Sequence, residues 1–202
     1  MVRERSAKER LLRTASDLIW ESSYGSVGVE QICERAGVQK GSFYHFFPSK
    51  SDLAVAAIET HWEENRPDKE RVFADDVPPL RRFIGWCGLI RSRQRARREK
   101  HGKVLGCPYS SMGSELSTRD ENIRRKCQEM ADRTCAFVET AVRAAQRESL
   151  IPRGNAGEKA RELYSFVSGV VLQARIDNDL GGLDRLEPGV FRLLGVREPA
   201  RR

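Results

Sequence analysis

The stretch KGSFYHFFPSK, residues 40–50, places hydrogen-bond donors and aromatic rings at helical spacing. On a helix of 3.6 residues per turn, Phe43, Phe46 and Phe47 fall on one side and polar residues fall on the other. Gly41 and Ser42 are small, so the helix N-terminus could approach a phosphate or a base edge, where the helix dipole favours negative charge. A solvated helical hairpin with an aromatic core is the alternative that the spacing leaves open. The donors that could face DNA are Lys40, Ser42, Tyr44 and His45.

A second chemical feature is Cys107, which lies between Gly106 and Pro108. A proline favours the first turn of a helix, so the thiol would lie at a helix N-terminus, where the dipole stabilises a nucleophilic thiolate. Such a thiol could react with electrophiles, whereas the alternative is a small buried residue that fills a gap. The alternative function is a thiol-dependent enzyme with Cys107 and His101 as a catalytic pair. No orienting third group or oxyanion-hole motif accompanies that pair.

The spacing of the cysteines and histidines does not match a metal or cofactor site. The chain has five cysteines, an odd number without a C-x-x-C pair, which fits neither a disulfide framework nor a zinc site. The three histidines lie far apart, without a cysteine or carboxylate at ligand spacing. The sequence therefore predicts no metal or other cofactor. It predicts reduced thiols, with Cys33, Cys87 and Cys127 buried and Cys135 partly exposed.

The bulk composition indicates the class of partner. A net charge of +7 over 202 residues favours acidic partners such as nucleic acid. The N-terminus lacks an apolar signal region, and no window approaches the ~20 apolar residues of a membrane span. We therefore expect a cytoplasmic protein with no membrane partner.

Helical periodicity and capping signals predict about nine helices and no strand, which is an all-α fold. Ser6 and Glu9 form a capping box before a first helix that runs to about Ser22. The next three are predicted from Val29 to Gly37, from Lys40 to Phe47 and from Ser49 towards Asn65. The remaining five are predicted after Pro79, after Gly106, after a Thr118 capping box, after Asn155 and around residues 186–194.

The segment VEQICERAGVQKGSFYHFFPSKSDL, residues 29–53, resembles the DNA-binding segment of TetR-type transcriptional repressors. The resemblance lies in the glycine turn, the Lys-Gly-Ser start, the aromatic-Tyr-His-Phe run and the Phe-Pro-Ser-Lys link. It implies an N-terminal three-helix helix-turn-helix domain, residues 1–48, that reads the major groove of double-stranded operator DNA. It also implies a C-terminal helical domain, residues 49–202, that binds a ligand and forms a homodimer.

Mapped onto this motif, the resemblance implies a set of DNA contacts. Gly41 would allow close approach, and Gly28 stands where a serine or threonine usually caps the second helix and touches phosphate, so that cap is weaker. Base contacts are implied for Lys40, Ser42, Tyr44 and His45, and phosphate contacts for Gln39, Tyr44 and Lys50.

Two C-terminal segments, GCPYSSMGSELS and LYSFVSGVVLQARI, are similar to a TetR subgroup that responds to electrophiles, oxidants or small unsaturated acids. In that subgroup the cysteine corresponding to Cys107 is linked to sensing, and Arg175 is a candidate cation beside it. The resemblance implies a repressor that a small-molecule inducer or an electrophile releases from its operator. Candidate pocket residues, chosen by inward helical phase, are Trp86, Cys87, Ile90, Cys107, Tyr109, Met112, Cys127, Met130, Tyr164 and Gln173.

The basic run RSRQRARREKHGK, residues 91–103, has three interpretations that the sequence does not separate. It could be a solvated face of the fifth helix, a second DNA contact or the entrance for an anionic inducer.

Assembly is expected to involve the last two helices. Residues 163–174 and 186–194 are predicted to pair with their symmetry mates in a four-helix interface. A charged residue at Val170 or Val171 is therefore predicted to give monomers or aggregates.

Overall fold

The computed structural model describes residues 6–196, and this part of the chain is all-α. It contains nine α-helices, one 3-10 segment and no strand, which confirms the predicted fold class. None of these helices is long and apolar enough to cross a membrane. The 3-10 segment, Gly181–Arg185, lies between the last two helices. The helices are α1 (Ala7–Glu21), α2 (Val29–Ala36), α3 (Lys40–Phe46), α4 (Lys50–Val72), α5 (Pro79–His101), α6 (Pro108–Leu116), α7 (Glu121–Arg147), α8 (Ala156–Asp177) and α9 (Leu186–Leu193).

The helices pack as two compact units. The first contains the residues up to Glu64 together with Pro108–Glu129, and the second contains Asn65–Cys107 together with the residues from Met130 onward. The described part of the segment predicted to bind DNA, residues 6–48, therefore belongs to the first unit, which also holds most of α4, all of α6 and the start of α7. The first five residues of that predicted segment lie outside the described residues. The chain passes from the second unit into the first between Cys107 and Pro108.

Local signals define the three N-terminal helices. At the start of α1, Ser6 Oγ accepts from the Glu9 N–H and the Glu9 carboxylate accepts from the Ser6 N–H, which is the predicted capping box. Gly37 ends α2 with a φ of +62°, a left-handed conformation that glycine adopts without strain. The three helices enclose a common core. Its buried side chains are Leu11, Ala15, Leu18, Ile19, Val27, Ile32, Cys33, Phe43 and Phe47.

The core of the second unit joins α5, α7, α8 and α9. At the contact between α8 and α9, the Phe166 ring lies against Gly189, where a Cβ atom would stand 2.1 Å from the ring carbon Cζ. Glycine at this position therefore lets the two helices approach closely. Buried residues of this core include Phe83, Trp86, Cys87, Val138, Val142, Leu163, Val167, Val171 and Phe191.

α4 is longer than the sequence predicts. The sequence predicts an end near Asn65, but the helix continues through Pro67 to Val72. Pro67 is exposed, so the backbone around it is open to water, which lowers the cost of the missing N–H donor. Arg93 of α5 donates to the Asn65 carbonyl at 3.3 Å and to the Asp68 carboxylate at 2.9 Å, and these contacts hold the second half of α4.

The starts of α7 and α8 test two predicted caps. Asn155 caps α8 as predicted, because its Oδ1 atom accepts from the N–H groups of Gly157 and Glu158. The predicted Thr118 cap of α7 is wrong. Asp120 takes this role, with its carboxylate accepting from the Ile123 N–H at 3.1 Å, since residue 118 still lies in the turn that follows α6.

Candidate functional site

One side of α3 is polar and open to solvent. Its opposite side is apolar, because Phe43 is fully buried and Phe47 is 4% exposed, as the aromatic spacing predicts. Phe46 is only half-buried, so the apolar side is narrower than expected. The exposed residues of the α3 segment include Gln39, Lys40, Gly41, Ser42, Tyr44 and His45.

The exposed side of α3 includes Tyr44, whose ring packs on the buried aromatic core. The Tyr44 ring packs edge-on against the buried Phe43 ring with centroids 5.1 Å apart, yet half of the Tyr44 residue is exposed. A Cβ atom added at Gly41 would meet nothing within 4 Å, so the start of α3 is open to the approach of another surface. The arrangement places the donors on a helix rather than on a loop.

Lys40 links α3 to α2 through an exposed ion pair. Its ammonium lies 2.6 Å from the Glu30 carboxylate. The hydrogen bond and charge of Glu30 raise the pKa of Lys40, and the same contact lowers the pKa of Glu30. Both side chains remain largely exposed, so the pair contributes little to folding and can open when an anion approaches.

Lys50, by contrast, is used inside the first unit. Its ammonium donates to the backbone carbonyls of Tyr24 and Val27, both at 2.9 Å, and lies 3.9 Å from the centroid of the Tyr24 ring. Burial lowers the pKa of Lys50. Two of the three N–H donors of the ammonium are thus engaged, and a phosphate contact of Lys50 would use the third.

The backbone of residues 104–106, just before Cys107, is held by side chains of α5 and α8 and by the residue after α8. Gln94 donates to the Gly106 carbonyl at 3.0 Å and accepts from the Gly106 N–H at 3.2 Å. Arg175 donates to the Leu105 carbonyl at 3.1 Å, and Asn178 accepts from the Val104 N–H at 2.9 Å.

Gly106 itself takes a left-handed φ of +70°, and the stem of Arg175 packs against it. A Cβ atom at Gly106 would lie 3.1 Å from Arg175 Cδ, so glycine allows both the turn and this contact. The sequence predicts Arg175 as a cation beside the Cys107 thiol, and in the structure its guanidinium donates to the Leu105 carbonyl. Gln94 and Asn178 were not predicted. The one signal for Gln94 was a lone amide inside an arginine-rich run.

Cys107 is half-buried and stands immediately before Pro108, the first residue of α6, as predicted. Lys69 lies in its electrostatic neighbourhood. Burial, followed by the nearby Arg93 guanidinium, lowers the pKa of Lys69 to about 8, while the interaction with Cys107 acts in the opposite direction. The thiol therefore has a basic neighbour from α4.

The other four cysteines differ in burial. Burial raises the pKa of Cys87 to about 12, and burial also raises the pKa of Cys33 and of Cys135. Two expectations are wrong: Cys135 is buried rather than partly exposed, and Cys127 is half-buried rather than buried. The Cys127 side chain faces Gly113 of α6, where a glycine leaves room beside the sulfur.

The predicted pocket residues are divided between the two units. Gln173 does not point inward, because it lies on the exposed side of α8 and donates to Asp177 at 2.7 Å. The second unit holds Trp86, Cys87 and Met130 as buried residues and Ile90, Cys107 and Tyr164 as half-buried ones. The first unit holds Tyr109 and Met112 as buried residues and Cys127 as a half-buried one.

Several arginines of the basic run form ion pairs within the second unit. Arg91 pairs with the buried Glu187 of α9 at 3.0 Å. Arg93 pairs with Asp68 at 2.9 Å, as described for α4, and Arg98 lies 3.7 Å from Asp179. These three arginines therefore connect α5 to the second half of α4 and to the C-terminal helices, which accounts for part of the run as packing.

Family models cover both ends of the chain. Residues 11–57 match the model described as "Bacterial regulatory proteins, tetR family". Residues 89–189 match the model described as "Tetracyclin repressor-like, C-terminal domain". The matched ranges include α2, α3, α6 and α8, and with them both sites described above.

Individual regulators show the same similarity. The chain is 31% identical over 119 residues to the transcriptional regulator AcuR of Cereibacter sphaeroides, a match that spans 58% of this chain and 52% of AcuR. It is 24% identical over 194 residues to the transcriptional repressor NemR of Escherichia coli, with 90% of each chain covered. Its fold matches the reduced form of E. coli NemR with a TM-score of 0.80 at 22% identity, over 98% of this chain and 100% of NemR.

Proposed function

Because the chain belongs to the TetR family of bacterial regulatory proteins, we propose that it is a repressor that a small molecule or an electrophile releases from its operator. The similar proteins are transcriptional regulators, so the chain is a DNA-binding transcriptional regulator and not a thiol-dependent enzyme. The observation that carries the proposal is the polar, exposed side of α3, opposite the buried Phe43 and Phe47.

The proposed DNA interface follows from that side. Lys40, Ser42, Tyr44 and His45 would donate to base edges in the major groove, and Gln39, Tyr44 and Lys50 would contact phosphates. Gly41, with open space above it, would let the start of α3 approach the DNA. Lys40 would leave its exposed pair with Glu30 when it meets the operator.

Lys40→Ala and Tyr44→Ala are each expected to weaken operator binding about tenfold or more, because each removes a donor from the reading side without opening the core. Fluorescence anisotropy with labelled DNA from around the protein's own gene measures the affinity, and thermal melting checks the fold. Arg153→Ala, which removes an exposed cation from the segment between α7 and α8, is the control and should bind normally. Unchanged, sequence-specific binding by both variants would contradict the assignment of faces.

The proposed sensing site is Cys107 and the segment before it. Support comes from the half-buried thiol, its position before α6 and its basic neighbour Lys69. The backbone of residues 104–106, just before it, is also held by hydrogen bonds. Cys33, Cys87 and Cys135 are less suited, because they are buried and their pKa values are raised. An inducer must favour a conformation with lower DNA affinity, and its differential affinity for the two conformations sets the extent of release.

Cys107→Ser is expected to bind the operator normally but to remain bound when N-ethylmaleimide is added, because the reacting thiol is absent. In the wild type, mass mapping after brief alkylation should find Cys107 modified first. Cys127→Ser, which removes the other half-buried thiol, is the matched control and should still respond. Preferential labelling of Cys127, or release of the Cys107→Ser protein by the electrophile, would remove Cys107 from the mechanism.

A further inference from the structure

α6 contacts the turn between α1 and α2 through one carboxylate. Glu115 Oε1 accepts from the Gly25 N–H at 2.8 Å, and Glu115 Oε2 accepts from the Tyr24 N–H at 3.2 Å. One carboxylate thus holds two successive backbone donors, an arrangement of charge-assisted hydrogen bonds. The approach is close, because a Cβ atom at Gly25 would lie 3.2 Å from Glu115 Oε1.

Lys50 of α4 holds the same turn through its carbonyl groups. Its ammonium donates to the carbonyls of Tyr24 and Val27. The N–H and the C=O of Tyr24 are therefore both bound, the first by a carboxylate and the second by an ammonium. Ser23 and Ser26 also bond to each other, which shapes the turn locally without connecting it to another helix.

We call the hydrogen bonds of Glu115 to Tyr24 and Gly25 the clamp. The clamp matters because α2 has no side-chain cap of its own. Gly28 occupies the N-cap position of α2 and makes no side-chain hydrogen bond. In the absence of a local cap, the start of α2 depends on whatever fixes the turn before it. Glu115 and Lys50 supply that fixation from two helices that are distant in sequence.

The start of α6 also contacts the N-terminal helices. The Tyr109 ring packs against His61 of α4 at a centroid distance of 5.7 Å, and His61 packs against Trp20 of α1 at 4.9 Å. α6 is therefore connected at its start to α4 and α1 and at its end to the α1–α2 turn. Its first residue, Pro108, directly follows Cys107 in the chain.

We propose that Glu115 is a positioning residue for DNA binding, which orients the helix-turn-helix by clamping the backbone of Tyr24 and Gly25 to α6. This proposal rests on the proposed function, because it makes the position of α6 a determinant of operator affinity. Glu115 touches no DNA in this proposal. It acts through the turn that leads into α2 and, beyond α2, into α3.

Glu115→Gln tests the clamp, since the amide retains the size of the side chain but offers one acceptor oxygen instead of two. We expect amide hydrogen exchange at Tyr24 and Gly25 to become at least about tenfold faster and operator affinity to fall about tenfold. The melting temperature should change little, and exchange elsewhere in α1 should stay slow. Glu148→Gln, the same change at an exposed residue just after α7, is the matched control and should alter neither quantity.

A second variant covers the case in which Glu115→Gln fails to fold. Gly25→Ala keeps the carboxylate but places a methyl group 3.2 Å from it, and should change exchange and affinity in the same direction. Wild-type exchange at Tyr24 and Gly25 together with wild-type affinity in both variants would overturn the clamp. If the wild-type protein binds no DNA from its gene region, the proposed function fails. The exchange measurement still shows whether Glu115 holds the Tyr24 and Gly25 amides.

Discussion

Phe43→Ala is expected to unfold the three N-terminal helices, with the free energy of unfolding lowered by about 3–5 kcal/mol. Phe43 is fully buried, and its ring contacts those of Tyr44 and Phe47 at centroid distances of 5.1 and 6.0 Å. Removal of the ring leaves a cavity among the buried side chains of α1, α2 and α3. Chemical denaturation followed by circular dichroism should show a lower midpoint for the first unit.

The neighbouring Phe46→Ala is the matched control for this effect. It removes the same ring from the same helix, but Phe46 is half-buried and should cost clearly less stability. Operator binding should be lost in Phe43→Ala because α3 is no longer held. A Phe43→Ala protein with wild-type stability would mean that α3 does not depend on its aromatic side for anchoring.

Val171→Asp is expected to destabilise the second unit by about 4 kcal/mol or more, because it places a carboxylate without a partner in an apolar core. Val171 is 5% exposed and belongs to the core formed by α5, α7, α8 and α9. Thermal melting should report the loss, and the protein should aggregate on heating. A Val171→Asp protein that melts like the wild type would contradict the burial of this side chain.

Ile176→Asp on the same helix separates folding from assembly. Ile176 is 67% exposed and Leu172 is 40% exposed, so both lie on the outer side of α8. If α8 pairs with its symmetry mate, as we propose, the variant should stay folded but sediment as a monomer. The expectation that a charge at Val171 separates the dimer is revised accordingly, since this residue faces its own core. A wild-type protein that sediments as a monomer at micromolar concentration would contradict the dimer.

The sequence by itself determined most of the helices and which side of α3 is apolar and which is polar. The Ser6 and Glu9 cap, the left-handed Gly37 and the apolar spacing of Phe43 and Phe47 all act within about one helical turn. Local hydrogen bonds and helical periodicity depend on neighbours in the chain, so their residue types can be read directly. The helix start at Pro108 after Cys107 was predictable for the same reason.

Only the tertiary structure decided which distant groups meet. Arg91 and Glu187 are 96 residues apart, and Glu115 and the Tyr24 amide are 91 residues apart, yet each pair is within hydrogen-bond distance. Arg93, which lies on α5, stabilises α4 on both sides of Pro67. Helical periodicity within α4 gives no sign of this contact from another helix. A single sequence carries no spacing rule for such contacts, because they depend on how helices pack rather than on how each one forms.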